Sequence, residues 1–228
     1  MVQPGGAALS NPVLDLERLR SDYLAALLHG ERRAALKLVV EHGVRLGARV
    51  DDLHSAVIQE CQREIGRLWQ ENLISIAQEH QATAISQLVL AHLYDLAPRA
   101  ADNDKRVVVA CVEGELHDFP SRLVADALDL AGFEVRYLGA NVPTRSLLEL
   151  IKGQPVDLIA LSVTMAFNVP ALREAVSELR AATPARIAVG GGACLWAEGV
   201  AESVGADVSA CSARELVERA QALLGVKA

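Results

Sequence analysis

The chain has 228 residues, 51% of them hydrophobic, enough to bury a core in one large or two modest domains. A formal net charge of −7, with no lysine- or arginine-rich run, argues against nucleic-acid binding by this chain. No apolar stretch reaches the length of a membrane span and no basic-then-apolar leader opens the sequence, so a soluble cytoplasmic protein is expected.

Residues 1–12 are rich in Gly, Pro and Ala and read as a flexible tail. From Leu14 the pattern is helical, with Leu16, Leu19, Tyr23 and Leu27 on one face and Gly30 at the end. A second helix runs from Glu31 to His42 and closes at Gly43. A third starts near Asp51, a good N-cap, and carries Val57, Ile58, Cys61, Ile65 and Leu68 to Trp69. Ser75 and Gln78 have capping-box spacing and open a fourth, which continues to about Leu96 before Pro98. Residues 13–98 therefore predict an antiparallel four-helix bundle, and 99–105 a polar linker.

After the linker the period changes. Strand-like runs at Val107–Cys111, Val135–Leu138, Leu158–Val163, Ile187–Val189 and Asp207–Ala210 alternate with helical stretches. Over 106–228 this predicts an α/β fold: a doubly wound, five-stranded parallel sheet in the flavodoxin-like (Rossmann-like) order 2-1-3-4-5. Four cysteines (Cys61, Cys111, Cys194, Cys211) form no CxxC pair and read as reduced structural thiols.

The chemistry collects at the carboxyl ends of the strands, where open α/β sheets bind ligands. The first strand breaks at Glu113-Gly114 into a turn carrying Glu115 and His117, and a helix starts near Ser121 with Pro120 preset for its first turn. A histidine two residues after a carboxylate suits metal ligation or proton transfer, and equally an ordinary turn histidine oriented by its neighbour. Ser162 and Thr164 share one side of the third strand, and the fourth ends in Gly190-Gly191-Gly192, where a backbone can approach something large. In the helical half, Trp69 ends one helix while Glu79 and His80 open the next, so all three gather at one end of a hairpin. A core tryptophan with a carboxylate at a helix N-terminus is the plainer account.

Taken together, residues 104–228 resemble the cobalamin-binding domain, whose pattern is (D/E)xHxxG after strand 1, SxL or SxT on strand 3, and GG after strand 4. The resemblance implies that His117 is the lower cobalt ligand, with Glu115 on its far ring nitrogen, and that Asp118 and Phe119 belong to the same loop. It also implies that Ser162, Thr164, Gly190 and Gly191 line the place of the cofactor's nucleotide tail. Pro120 stands where the family has glycine.

The spacing Trp69-x9-Glu79-His80 is similar to the helical cap of the B12-dependent light sensors related to carotenoid-gene repressors, without their DNA-binding domain. That likeness implies adenosylcobalamin, with Trp69 and Glu79 against the adenosyl group, light cleavage of the Co–C bond, and a homo-oligomer, dimer or larger, signalling to an unknown output protein. Gln70 follows Trp69 where some members have histidine, which leaves His80 or water for the upper face. Standalone chains of this kind also resemble photocobilins, which brings in biliverdin as a second chromophore, although no residue marks a bilin site. His29, His42, His54 and His92 read as ordinary helix histidines, and Trp196 as a residue that covers the tail or simply packs. The expected function is a cobalamin-dependent photoreceptor rather than an enzyme. The alternatives are a corrinoid methyl carrier of a methyltransferase system and a cofactor-free interaction module.

Overall fold

The computed structural model describes residues 15–197 and 199–226. The tail expected over 1–12 and the helix start at Leu14 lie outside them. The chain divides after Leu93 into two compact units.

Four helical runs make the first unit. α1 (Leu16–Leu28) is capped by the Asp15 side chain, which accepts from the backbone N–H of Glu17 and of Arg18, both at 3.0 Å, and it gives way at Gly30, φ 71°. The second run begins as α2 (Arg32–Leu36) and continues as a π-helical segment, Lys37–Gly43. The third joins α3 (Val50–Asp52), a second π-helical segment (Leu53–Gln59) and α4 (Glu60–Gln70).

Two expectations change here. Gly43 lies inside the helical run and is buried, and a Cβ there would stand 2.9 Å from Leu53 Cδ2. Its smallness lets the two π-helical segments approach, so it does not serve as a helix stop. Arg49, not Asp51, takes the N-cap position of α3, and Asp51 and Asp52 fall in the first turn, where the helix dipole favours them. The fourth run, α5 (Ile76–Tyr94), has the expected capping box: Gln78 N–H donates to Ser75 Oγ at 3.3 Å and Ser75 N–H to Gln78 Oε1 at 2.9 Å. It stops two residues short of Leu96.

The second unit is a five-stranded parallel sheet in the order β2-β1-β3-β4-β5. The strands are β1 (Arg106–Val112), β2 (Glu134–Val142), β3 (Leu158–Ser162), β4 (Arg186–Gly190) and β5 (Val208–Ala210). Between them run α6 (Phe119–Leu130), α7 (Thr144–Ile151), α8 (Val169–Ala182), the short α9 (Gly192–Trp196) and α10 (Val200–Val204), with α11 (Ala213–Leu224) closing the unit. β1 is buried almost throughout, as a central strand covered on both faces must be.

Alternation along the strands splits the core in two. Val108, Ala110, Ile159, Leu161 and Val189 face one side with residues of α7 and α8, and Val107, Val109, Leu158 and Ala160 face the other with α6 and α11. β2 runs well past the expected Val135–Leu138. As an edge strand it shows no clean alternation, and its register with β1 slips twice, with Gly139 and Asn141 at positive φ.

Candidate functional site

Strand parity and register bring one row of small side chains to the carboxyl edge of the sheet: Cys111, Ser162, Gly190 and Ala210 pair laterally across β1, β3, β4 and β5. Ser162 has the parity of Leu158 and Ala160, so it lies on the α6 and α11 side. Among the described residues neither its buried hydroxyl nor that of Thr164 has a well-formed hydrogen bond, although the Ser162 hydroxyl is near enough to Cys111 to ease the rise of its thiol. Buried hydroxyls are normally satisfied, so two orphans on one edge point to a missing polar partner. Cys111 Sγ lies beside this row and 3.2 Å from Ser121 Oγ, and burial pushes its thiol up to about 11, as suits a structural cysteine. Cys61, Cys111 and Cys194 carry free thiols.

The loop after β1 is held by one carboxylate. The side chain of Glu115 is fully buried. Oε1 accepts from the His117 backbone N–H at 3.0 Å and from His117 Nδ1 at 2.5 Å. Oε2 accepts from the backbone N–H of Thr164 and of Met165, each at 2.9 Å, and from Asn168 Nδ2 at 3.1 Å. Burial alone would raise the pKa of this carboxyl. The bonds from His117, Met165 and Asn168 outweigh burial and hold it at about 2. An ionised carboxylate only accepts, so Nδ1 of His117 carries the proton and Nε2 keeps the lone pair. The imidazole itself stays 37% exposed at the sheet edge.

Two residues that sequence reasoning passed over complete this loop. Asn168 is buried and also donates to the Gly114 carbonyl at 3.3 Å, while Asn141 Oδ1 accepts from Gly114 N–H at 2.8 Å. Gly114 has φ 83°, and a Cβ there would press on Asn168 Oδ1 at 3.0 Å. The only sequence signals were an asparagine ahead of Val169-Pro170 and one in the Gly-Ala-Asn stretch of β2, both easily read as turn residues.

The remaining expected residues fall as follows. Asp118 precedes α6, and Tyr137 Oη donates to its carbonyl oxygen and to Oδ2, each at 3.2 Å. Phe119 is buried as the first residue of α6, so it belongs to the core there and presents no open face. Pro120 falls in the first turn, where its missing N–H breaks no helical bond, and the loop accepts it where the resemblance had glycine. Gly191 has φ 97°, and a Cβ there would stand 2.4 Å from the Val163 carbonyl oxygen. The glycine segment therefore lies flush on the end of β3. Trp196 ends α9, a short helix. Leu116, Phe167 and Trp196 are 70%, 72% and 65% exposed in the segments that follow the strands.

In the helical unit Trp69 lies in the last turn of α4 and Glu79 in the first turn of α5. Glu79 Oε2 accepts from His80 Nδ1 at 2.5 Å, and Thr83 Oγ1 is 2.9 Å from Glu79 Oε1 and 3.1 Å from Gln62 Oε1. Gln62 Nε2 donates to Ser86 Oγ at 2.7 Å, and Ser86 Oγ is 2.9 Å from Tyr23 Oη. A polar file thus runs from buried Tyr23 through the helices to exposed His80. His29 and His92 bond the carbonyl four residues back, as ordinary helix histidines do. His54 departs from that pattern: it is buried with Nε2 unpartnered, and burial lowers it to about 4. Among the described residues no group of three His, Cys, Asp or Glu side chains could hold a metal by itself, and no helix is long and apolar enough to cross a membrane.

Comparison with known proteins bears on both units. A B12 binding domain model matches residues 105–220 and a second B12 binding domain model matches residues 19–94. The chain is 30% identical over 166 residues to dimethylamine corrinoid protein 1 of Methanosarcina acetivorans, covering 71% of this chain and 77% of that one. It is 34% identical over 137 residues to dimethylamine corrinoid protein 3 of Methanosarcina mazei, covering 58% and 81%. Among solved structures, the monomethylamine corrinoid protein of Methanosarcina barkeri superposes with a TM-score of 0.82 over 92% of this chain and all of that one. At 18% identity this likeness shows the fold alone.

Proposed function

The chain belongs to the B12-binding domain family, and from that premise we propose that it is a corrinoid carrier of a methyltransferase system. The observation that carries this reading is the likeness, at 30–34% identity, to proteins named as dimethylamine corrinoid proteins. The light sensor with adenosylcobalamin and biliverdin gains nothing from these relatives, so the carrier moves from alternative to first place.

The residues present fit a corrinoid. When bound, such a group supplies cobalt chemistry able to accept and release a methyl group. His117 would hold the metal through Nε2. Glu115 fixes the imidazole's tautomer and direction, and through Thr164 and Met165 ties it to the loop after β3. The unsatisfied hydroxyls of Ser162 and Thr164 are ready partners for a polar tail, and the glycine segment leaves room for it. Exposed Leu116 and Phe167 suit an apolar macrocycle rim.

The test is spectroscopic. With cobalamin reduced to the Co(II) state, a ligating nitrogen splits the electron-resonance lines threefold, and uniform nitrogen-15 labelling of the protein should convert the triplet to a doublet. His117→Ala should abolish that change and weaken binding by roughly tenfold or more, the worth of one metal-ligand contact with its oriented partner. A triplet that ignores the label would remove His117 as the lower ligand.

One observation keeps the sensor as a second reading: Trp69 and Glu79 share an end of the α4–α5 hairpin, and Glu79 is fixed by His80 and Thr83. An indole face and a held carboxylate suit an adenosyl group, with its base and ribose hydroxyls, better than a methyl group. Side-by-side titration decides. A carrier should bind methylcobalamin at least as tightly as adenosylcobalamin, whereas a preference for the adenosyl form that Glu79→Gln removes would restore the sensor.

A further inference from the structure

Trp196 is placed in a way that neither the histidine loop nor the tail-lining hydroxyls account for. A Cβ on Gly192 would stand 2.9 Å from Trp196 Cη2 and Cζ3 and 3.1 Å from the Thr164 carbonyl oxygen. The six-membered ring of the indole therefore lies directly on the Gly192 backbone, with the loop after β3 flanking the same spot. One residue earlier, Gly191 sits flush on Val163. Thr164, whose carbonyl flanks this spot, also carries one of the two unpartnered hydroxyls. Yet the indole is 65% exposed, an unusual state for a tryptophan with its back seated against a backbone. The Cη2–Cζ3 edge of the ring is seated against the glycine, while most of the residue's surface stays open.

Resting on the corrinoid reading above, we propose that Trp196 is a specificity residue that stacks on the aromatic base of the corrinoid's nucleotide tail. A flat heteroaromatic base has polar ring and sugar-phosphate atoms at its edges, which suit the orphan hydroxyls, and a π-face that suits the indole. The residue would then discriminate corrinoids with a complete nucleotide tail from those that end before it.

Equilibrium titration of the full chain with aquocobalamin and with cobinamide, which lacks the nucleotide, tests this. The wild-type chain should bind cobalamin the more tightly. Trp196→Ala should lose roughly tenfold on cobalamin, within the ~1–3 kcal/mol typical of base–aromatic stacking, and under twofold on cobinamide. Trp196→Phe should recover part of the loss. Since Trp196 is largely exposed, circular dichroism should show the fold intact in both variants. Equal losses on both corrinoids would place the ring against the macrocycle and overturn the proposal, as would unchanged cobalamin affinity. A wild-type chain that binds neither corrinoid would instead remove the corrinoid reading, and this proposal with it.

Discussion

Glu115→Gln is expected to lower folding stability by about 3 kcal/mol at neutral pH and to flatten the acid limb of the stability curve. The carboxylate is fully buried with donors on both sides, two at Oε1 and three at Oε2. A glutamine amide has one accepting end. Whichever way it turns, its NH2 meets donors, either those of His117 or those of Thr164, Met165 and Asn168. The sign of the pH effect follows from the lowered pKa. Glu115 falls from 4.5 to about 2 on folding, so its contribution is fully present above about 4.5 and is lost as pH falls toward 2. Urea unfolding of both forms across that window checks it: the gap should be widest at neutral pH and narrow below about 4. Parallel curves would mean that the carboxylate is not held as the geometry indicates.

The second large effect is expected at Gly191. Alanine there must adopt φ near 97° and bring its methyl within 2.4 Å of the Val163 carbonyl oxygen, 2.8 Å of its carbon and 3.0 Å of its nitrogen. All three are backbone atoms at the end of a central strand, so nothing flexible can yield. Left-handed strain of about 1–2 kcal/mol adds to the cost of displacing packed backbone, and the sum is about 3 kcal/mol or more. Gly205 is the natural control: it has φ 76° but nothing within 4 Å of a built Cβ, so Gly205→Ala should show the strain alone, about 1 kcal/mol. Unfolding midpoints of the two variants separate the close approach from the dihedral. Equal midpoints would show that the glycine segment does not lie flush on β3.

The strand order was legible because β1, β3 and β4 are buried runs of Val, Ile, Leu and Ala whose spacing admits only helices between them. His117 and Glu115 were legible because a carboxylate and an imidazole two residues apart, after a central strand, are few in any chain of this size. The three partners of Glu115 Oε2 were not. Two are backbone N–H groups, whose donors every residue carries, and the third is an asparagine more than fifty positions away. Edge strand β2 was cut short because Gly139 and Asn141 read as a turn, whereas they form a bulged strand end whose Asn141 buttresses Gly114. Gly43 reads locally as a helix stop, because its packing against Leu53 depends on a second helical run that local sequence cannot supply.

The polar file in the helical unit has a further consequence, for sliding. Tyr23 belongs to α1, Gln62 to α4, and Glu79, Thr83 and Ser86 to α5, so each bond between helices fixes one stagger. Slippage of α5 by one turn, about 5.4 Å, would leave Ser86, Gln62 and Tyr23 facing aliphatic neighbours and strand their buried polar atoms. Leucine and valine contacts alone would tolerate such a step with little penalty. The file therefore acts as a ratchet stop. Small movements of this unit fall to the π-helical segments 37–43 and 53–59, which contribute no bond to the file, and any larger one must unlock α1, α4 and α5 together.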